Sequence, residues 1–471
     1  MNQFPVHVEF SGRLVFVGFG SIGQGVLPLV LRHVGISEER ITIVTADARG
    51  EAEAQAYGIR FIKQPLRRDN FREVLQPLLA RGDFLLNLSV EVSSLDLVRL
   101  CAAVGALYLD TCIEPWAGGY TDTSLSPSQR SNYALREAAL ELRRQLKHSP
   151  TALLAHGANP GLVSHLVKRA MLNIAADAGL STVRPDSREQ WAALAQQLGI
   201  KVIHIAERDT QVANIPKRVG EFVNTWSIDG FVGEGCQPAE LGWGTHEKSL
   251  PPQGRRHEFG CGSAIYLMQP GAGTRVRTWT PLASHFHGFL ITHNESISIA
   301  DYYTLRHDDV VSYRPTVHYA YHPCDDAVMS VHELAGRNWH QQERQRLMMD
   351  EIIDGIDELG VLLAGHAKGA YWFGSQLTCA AARELAPHNN ATSMQVCAAV
   401  LAGLIWVIEN PEYGVVEADE IDFERALQIC MPYLGPVVGA YTDWTPLKDR
   451  GRLFPEEVDT GDPWQFSNVL V

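Results

Sequence analysis

Three glycines near the start of the chain lie at a spacing that suits phosphate binding. Gly18, Gly20 and Gly23 follow the apolar run Leu14–Val17 and precede a helical pattern. Gly18 permits a tight turn, Gly20 lets the backbone approach a pyrophosphate, and Gly23 lets the helix pack against the strand. The start of that helix offers free N–H groups and the positive end of its dipole to the phosphates. The pattern predicts a dinucleotide-binding turn, and a turn without ligand is the alternative.

An acidic residue follows the second apolar strand of the pattern. Asp47 comes shortly after Ile41–Val44 and about 24 residues beyond Gly23, near the expected spacing. A carboxylate there accepts hydrogen bonds from both ribose hydroxyls and repels a 2′-phosphate, so NAD is predicted rather than NADP. The predicted cofactor contacts are Gly18, Gly20, Ser21, Ile22, Gly23, Asp47, Ser89 and Val90.

Acidic residues recur beside aromatic residues in several short segments. These segments are residues 113–116, 205–209, 224–235, 238–244, 292–296 and 354–360. An aliphatic diamine needs carboxylates for its two ammonium ends and an apolar or aromatic wall for its methylenes. An indole face attracts an ammonium by roughly 0.5 to 2 kcal/mol, and oxidation of an amine requires a base. The segments therefore predict a site for a small dication.

The elements that must position these residues alternate between strands and helices in the first part of the chain. This alternation predicts an α/β fold with a Rossmann-type, doubly wound parallel sheet, whose ligands lie beyond the carboxyl ends of the strands. From about Lys201 to Pro323, strand patterns separated by Gly, Pro and Trp predict a second, mixed α/β domain. We expect residues 1–155 plus about 390–430 to form the NAD-binding domain, 156–389 the substrate-binding and dimerisation domain, and 431–471 an extended C-terminal arm. Residues 393–409 are predicted to form an apolar helix whose small-residue face packs closely.

Composition narrows the classes of function. The chain has 471 residues, is 45% hydrophobic and carries a net charge of −14, which argues against nucleic acid as a partner and suits a cationic substrate. The eight cysteines form no CxxC pair, which indicates reduced thiols. With no signal peptide or membrane span predicted, we expect a cytoplasmic protein.

No metal site is predicted. The sequence has no HExxH motif and no paired Cys and His spacing. His318 and His322 lie four residues apart in a strand-like segment, where that spacing separates them by about 13 Å. We interpret both histidines as structural.

Longer segments carry a resemblance to a known family. The chain resembles the bacterial homospermidine synthase family, within the saccharopine-dehydrogenase-like group, over nearly its whole length. The matching runs are residues 17–23, 87–90, 157–161, 204–210, 293–302 and 462–466. The resemblance implies a transferase of polyamine biosynthesis that joins two putrescines into homospermidine and releases ammonia, with spermidine as an alternative aminobutyl donor that releases diaminopropane. It also implies imine intermediates, a bound NAD that takes a hydride and later returns it, and a homodimer.

The resemblance also implies roles for individual residues. Trp226 would hold cationic intermediates by cation–π attraction, Glu207 and Glu234 would bind amino groups in the inner pocket, and His293 and Asn159 would border the reaction centre. Glu114 and Asp357 would grip the outer amino group, and Pro160 would line the same wall. Glu91 stands where the family pattern carries Asp, so its acid is one methylene longer.

Simpler interpretations remain open for several of these residues, and Asn159-Pro160-Gly161 could be only a helix start. Trp226 could be an ordinary core indole, His293 a satisfied core group, and Glu207 the partner of Arg208 in an ion pair. Glu234 and Asp357 could be solvated acids, the latter on an exposed helix face.

Two other functions compete with the aminobutyl transfer. A carboxynorspermidine or saccharopine-type reductase would need Arg or Lys in its pocket. A catalytically silent NAD-binding sensor would need neither the indole nor the acids.

Overall fold

The computed structural model describes residues 4–180, 183–308 and 310–471. Strands and helices alternate in its first part, which we call the first domain. Its strands are β1 (Val8–Glu9), β2 (Leu14–Val17), β3 (Val34–Gly35), β4 (Ile41–Thr45), β5 (Arg60–Lys63), β6 (Phe84–Asn87), β7 (Leu107–Asp110) and β8 (Ala152–Leu154). Its helices are α1 (Ser21–His33), α2 (Glu51–Ala56), α3 (Phe71–Leu75), α4 (Ser94–Val104) and α5 (Asn132–Gln145).

The second domain is richer in strands. Its helices are α6 (Leu162–Asp177), α7 (Arg188–Leu198), α8 (Ile228–Cys236), α9 (Asn294–Tyr302), α10 (Asp325–Gly336) and α11 (Cys379–Leu385). Its strands are β9 (Val202–Asp209), β10 (Val212–Ala213), β11 (Glu221–Asn224), β12 (Pro238–Gly242), β13 (Gly254–Arg256), β14 (Ala264–Pro270), β15 (Arg275–Thr280), β16 (Ser284–Phe289), β17 (Leu305–His307), β18 (Val310–Tyr313), β19 (Thr316–His322), β20 (Arg344–Leu347), β21 (Ile352–Asp354), β22 (Ile356–His366) and β23 (Gly369–Thr378).

The last part of the chain contributes to both domains. Its elements are α12 (Ala391–Glu409), β24 (Val415–Glu417), α13 (Phe423–Cys430), β25 (Val437–Thr442) and α14 (Phe466–Val469). Short 3₁₀ turns lie at Glu38–Arg40, Gln76–Leu78, Pro127–Arg130, Gly271–Gly273, Ala418–Glu420 and Met431–Tyr433.

The first domain is built on a seven-stranded parallel sheet in the order β24-β8-β7-β6-β2-β4-β5. Every residue of β2, β6 and β7 is buried, because helices cover both faces of the sheet. The strand order reverses between β2 and β6, which is where such folds bind their ligands. The predicted doubly wound α/β fold is confirmed.

A ten-stranded mixed sheet forms the second domain. Its main path runs β13-β14-β12-β19-β9-β22-β23-β25, and the hairpin β15–β16 joins it through β19. The centre of this sheet pairs β9 with β19 in parallel and with β22 in antiparallel orientation. This centre brings the ends of three long strands close to the first domain.

Helix α12 connects the two domains. It packs against α1, where a Cβ added to Gly25 would come within 2.9 Å of Cys397 Sγ. A Cβ added to Gly403 would approach Leu109 Cδ1 at 2.7 Å, so the predicted small-residue face does allow close packing. Among the described helices, α12 alone is long and apolar enough to cross a membrane, but 89% of its apolar window is buried inside the protein. It has the character of a core helix.

Two segments differ from the sequence-based expectation. Residues 354–360, where a solvated helix face was one interpretation, run from the end of β21 into the start of the central strand β22, and Asp357 is fully buried. The predicted extended arm, residues 431–471, instead contributes β25 to the large sheet, and its Trp444 and Trp464 are buried. Cross-strand pairing with distant residues determines both outcomes, and local sequence pattern does not contain that information.

Candidate active site

A cavity of about 120 Å³ lies at the junction of the two domains. The first domain contributes the carboxyl ends of its parallel strands, and the second contributes β9, α8, the start of α9 and β19. The lining residues are Ile22, Leu88, Ser89, Val90, Thr111, Cys112, Glu114, Gly157, Ala158, Asn159, Glu207, Trp226, Ser227, Gly230, Glu234, His293, Tyr319, Thr392 and Val396. Most residues predicted from the sequence are therefore brought to one place.

The glycine-rich turn forms one wall of this junction. Gly18 has a φ of +85°, and an added Cβ would come within 2.8 Å of the Leu88 carbonyl. A Cβ added to Gly20, which precedes the first residue of α1, would meet nothing within 4 Å, so the turn presents open space there. Ser21 begins α1, and no side chain caps that helix end. The turn fits the pyrophosphate of a dinucleotide.

Asp47 lies in the loop after β4, at the position predicted for ribose recognition. Its carboxylate accepts hydrogen bonds from the Arg49 backbone at 2.8 Å and from the Arg49 guanidinium at 2.9 Å. The Arg49 hydrogen bond lowers the pKa of Asp47, so the acid is ionised. An ionised carboxylate fits two ribose hydroxyls and opposes a 2′-phosphate.

Glu207 lies at the inner end of the cavity and is almost fully buried. Asn159 donates a hydrogen bond to its carboxylate at 2.9 Å, and the Tyr319 hydroxyl donates another at 2.5 Å. Burial raises the pKa of Glu207, although both hydrogen bonds oppose the rise. Arg208 contacts Asp325 instead, so no Glu207–Arg208 ion pair forms. The site therefore holds a carboxyl group that can gain and lose a proton near neutrality.

The turn that carries Asn159 is held by the first domain. Ala155, which precedes it, has a φ of +53°, and its backbone N–H donates to Asp110 Oδ1 at 2.6 Å. The backbone N–H of His156 donates to the Asp110 carbonyl at 2.8 Å. Burial raises the pKa of Asp110 to about 7. The end of β7 thus fixes the path of the turn that reaches Glu207.

His293 and Glu234 form a buried pair beside Glu207. The Nε2 of His293 lies 2.7 Å from Glu234 Oε2, and the imidazole ring lies 4.7 Å from the ring of Tyr319. Cys112 Sγ also approaches Glu234, at 3.7 Å. Burial alone would lower the pKa of His293, but neighbouring carboxylates raise it well above the usual value. The raised pKa favours the protonated ring, whose Nε2–H donates to Glu234.

Trp226 supplies the aromatic wall of the cavity. Its indole N–H donates to the Tyr321 hydroxyl at 3.0 Å, and its ring lies 5.3 Å from Phe231. The residue is only partly buried, and it lines the cavity. The exposed part of the indole can therefore contact a ligand, which a pure core role would not require.

Glu114 lies on the first-domain side of the cavity, next to Glu91. The Glu91 backbone N–H, in a residue with φ of +62°, donates to Glu114 Oε2 at 3.1 Å. Burial and the nearby Glu234 carboxylate raise the pKa of Glu114 to about 8, although the Glu91 hydrogen bond lowers it. The Glu91 side chain is exposed. A cation bound beside Glu114 would therefore favour the ionised form of its carboxyl group.

Asp357 and Pro160 lie behind the cavity wall. Asp357 is fully buried opposite Asp209 in the β9–β22 register, and the Thr392 hydroxyl donates to its Oδ2. Burial and the Glu207 carboxylate raise the pKa of Asp357 well above its usual value. Both residues stand outside the set that lines the cavity. Their direct contact with a ligand, and the pairing of Asp357 with Glu114, stay predictions.

Several residues of the site were missed by sequence reasoning, among them Tyr319 and Cys112, which line the cavity, and Tyr321, which accepts the hydrogen bond of the Trp226 indole. Tyr319 and Tyr321 lie two residues apart on β19, so both project to the same face and stack at 5.2 Å. The alternation of these tyrosines with His318 and His322 along β19 was the available signal, because it places the tyrosines on one face of the strand and the histidines on the other. Cys112, after β7, carried no comparable pattern.

Two larger depressions, of about 340 and 420 Å³, lie elsewhere on the second domain. Arg275, Phe289 and His332 line both of them, and neither has an acidic side chain in its wall. They lack the charge that a cationic ligand requires. The junction cavity is therefore the better candidate for the active site.

The residues that the structure describes contain no cluster of three or more His, Cys, Asp or Glu side chains that could hold a metal ion.

Comparison with known proteins agrees with this geometry. The saccharopine dehydrogenase NADP binding domain family matches residues 14–153, and the saccharopine dehydrogenase C-terminal domain family matches residues 157–442. The chain is 56% identical to the homospermidine synthase of Blastochloris viridis over all of both chains. It is 50% identical to that of Mesorhizobium japonicum over all of this chain and 98% of the relative.

Solved structures give the same result. The homospermidine synthase from Legionella pneumophila, solved in complex with NAD, superimposes with a TM-score of 0.92 at 50% identity, covering 98% of each chain. The saccharopine dehydrogenase of Saccharomyces cerevisiae superimposes with a TM-score of 0.53 at 9% identity over 92% of this chain and all of that one, which shows the fold alone. The chain therefore belongs to the homospermidine synthase family.

Proposed function

We propose that this protein joins two putrescines into homospermidine and releases ammonia, with NAD as a recycled cofactor and spermidine as an alternative aminobutyl donor. One observation carries the proposal: Glu114, Glu207, Glu234 and the Trp226 indole surround one cavity next to the dinucleotide turn. A flexible dication matches that distribution of charge and aromatic surface.

The cofactor is assigned to the junction between α1 and the strand ends. Gly18, Gly20 and Ser21 would hold the pyrophosphate, Asp47 the ribose, and Ser89 and Val90 the nicotinamide side. NAD supplies a hydride acceptor at the carbon that bears the amine, and its reduced form returns that hydride to the new imine. The ionised Asp47 supports NAD over NADP, although the matching family model is described as NADP binding.

The two ends of a putrescine would be bound by different carboxyl groups. Glu114, on the first domain, takes the outer ammonium, and Glu207, on the second domain, takes the inner nitrogen. Trp226 faces the methylenes and any positive charge that develops between them. Asn159 and Tyr319 fix the Glu207 carboxylate through their hydrogen bonds.

Glu207 is our candidate for the base. An amine must lose its proton before a hydride can leave the adjacent carbon. The raised pKa of Glu207 brings its proton affinity closer to the range that such a base requires. The same carboxylate, once ionised, stabilises the cationic imine.

His293 and Glu234 would donate and accept protons while the aminobutyl group is transferred. The nitrogen of the second putrescine forms a bond to the imine carbon, and the bond between that carbon and the first nitrogen breaks. The incoming nitrogen loses one proton and the leaving nitrogen gains one, so ammonia departs without net proton consumption. The imidazolium of His293, 2.7 Å from Glu234, can deliver the proton to the leaving nitrogen and recover one through Glu234.

The competing reductase is disfavoured by the cavity wall. A carboxylated substrate such as saccharopine needs a guanidinium or ammonium partner. The residues that line the described cavity include three glutamates and no Arg or Lys. A sensor without catalysis gives no reason for a base and an imidazolium beside each other.

We further propose that the enzyme is a cytoplasmic homodimer. The eight cysteines are all free in the structure, which supports a reducing compartment. The dimer follows from family resemblance alone, and light scattering of the purified protein measures it directly. A mass of one chain in solution would refute the dimer.

Incubation with putrescine and catalytic NAD tests the reaction. We expect homospermidine and ammonia in equal amounts, at many turnovers for each NAD. A requirement for stoichiometric cofactor would indicate a net oxidoreductase instead. The absence of any product, with NAD binding intact, would support the sensor.

A further inference from the structure

Glu295 is a buried carboxyl group whose ion-pair contact within the described residues is with His293. It is the second residue of α9 and is fully buried. Its Oε1 lies 3.3 Å from His293 Nδ1, on the side of the ring opposite the Glu234 contact. Neither Glu295 oxygen accepts a hydrogen bond from the described part of the chain. A carboxylate buried in this way needs a counter-charge, and His293 is positioned to supply it.

The imidazole of His293 thus lies between two carboxylates. The titratable groups that face it or its two partners come from the packed elements: Glu234 on α8, Glu295 on α9, Tyr319 on β19, Glu207 on β9, and Cys112, Glu114 and Tyr120 after β7. None of these groups is cationic. Each carboxylate that is ionised favours the protonated ring.

We propose that Glu295 is a positioning residue that holds His293 as an imidazolium, with the Glu295 carboxylate facing Nδ1 and with Nε2 directed at Glu234 and the reaction centre. The proposal rests on the function proposed above. In the transfer step, Glu234 has to release the imidazolium when it binds an ammonium or accepts a proton. Glu295 is absent from the residues that line the cavity, and it faces Nδ1 of the ring, whereas Glu234 contacts Nε2. His293 therefore retains a counter-charge and its orientation, so that it can donate to the leaving nitrogen and be reprotonated.

The pKa of His293 is shifted in the opposite direction to that of other buried histidines in the described residues. Those with a shifted pKa elsewhere in the described residues, such as His156, His204 and His318, have it lowered by burial. His293 is equally buried, yet its pKa is raised by Glu234 and Glu295. An opposite charge within about 4 to 6 Å shifts a pKa by about one to three units. Removal of the Glu295 charge should therefore be measurable as a shift in pH dependence.

The variant Glu295→Gln keeps the shape of the side chain and removes its charge. We expect the alkaline limb of the kcat–pH profile for homospermidine formation to move to lower pH by about one to three units. The ionisation of putrescine is the same for both proteins, so the comparison isolates the enzyme group. Glu295→Asp, which restores the charge, should return the limb toward the wild-type position even if kcat stays lower.

Glu189 provides a matched control. It is likewise the second residue of a helix, α7, but it is exposed. Glu189→Gln should leave the profile unchanged, which separates the effect on His293 from a general effect of an acid near a helix N-terminus. A Glu295→Gln profile that superimposes on the wild-type profile would overturn the proposal.

A measurement on the unaltered protein covers the case in which Glu295→Gln does not fold. In the NAD-loaded protein with ¹⁵N-labelled histidine rings, we expect one histidine to keep both ring protons at about pH 9, well above the ordinary range. That signal should be missing in His293→Gln. If no such histidine is present, the assignment of Glu295 is wrong. If wild-type protein makes no homospermidine, the proposed function fails, whereas this spectrum still decides the charge of His293.

Discussion

Replacement of Glu114 by Gln should change how many protons the protein releases when it binds a diamine. The Glu114 carboxyl group is buried, and the neighbouring Glu234 adds repulsion, so its pKa lies at about 8. A carboxyl group of that pKa is about nine-tenths protonated at pH 7. An ammonium bound against it favours the ionised form, so binding expels the proton. Gln has none to release.

The magnitude follows from this fraction. At pH 7, wild-type protein should release about 0.9 more protons for each bound putrescine than Glu114→Gln. Because protons are released on binding, the affinity for putrescine should increase with pH. Because the pKa of Glu114 is raised in the folded protein, its ionisation should make the putrescine affinity of the wild-type protein rise about tenfold for each pH unit up to about pH 8. Above that pH the contribution of Glu114 to the affinity should be constant. The variant should lose that part of the slope.

Isothermal titration calorimetry of the NADH-saturated protein measures both quantities, since this form cannot accept a hydride. Titrations in phosphate and in Tris, which differ in heat of ionisation, give the number of protons released. Glu384→Gln, at an exposed position away from the cavity, serves as the control and should match wild type. Equal proton release by wild type and Glu114→Gln would show that Glu114 does not bind the ammonium.

Three further changes test the rest of the site. Gly18→Ala should abolish NAD binding measured by fluorescence titration, because its Cβ would clash with the Leu88 carbonyl at 2.8 Å; Gly58→Ala, also at positive φ but in open space, should retain it. Trp226→Ala should lower kcat about five- to thirtyfold with an unchanged circular dichroism spectrum, since a cation–π contact of about 1 to 2 kcal/mol is removed; an unfolded variant would support the core interpretation. Glu207→Gln should remove the acid limb of the kcat/KM profile near pH 7, because a raised pKa leaves the base ionised only above it; persistence of that limb in the residual activity would assign the base elsewhere.

The dinucleotide half of the site was predictable because its signals are local. The run from Leu14 to Gly23 contains a buried strand, a turn and a helix start within ten residues, and the structure reproduces each of them. The doubly wound parallel sheet also followed from the βα alternation. The apolar helix predicted over residues 393–409 was confirmed as α12, which begins two residues earlier.

The substrate half depends on contacts between distant segments. Asp357 stands in an acidic run that is typical of solvent-exposed chain, yet β22 pairs it with β9 and buries it. Glu295 was visible two residues after His293, but its burial against the His293 ring comes from packing across the domain. Such burial is a property of the assembled sheet, so spacing along the chain could not reveal it.

Because the chain returns to the first domain only near its end, the first domain is incomplete during most of translation. Strand β8 lies next to the edge strand β24, which is translated only after strands β9 to β23 of the second domain. While the nascent chain emerges from the ribosome, β8 therefore displays unpaired backbone groups, and α1 lacks the covering surface of α12. The first domain cannot reach its final form as an independent unit. A fragment that ends near residue 155 should aggregate, because its open edge and bare helix face have no partner.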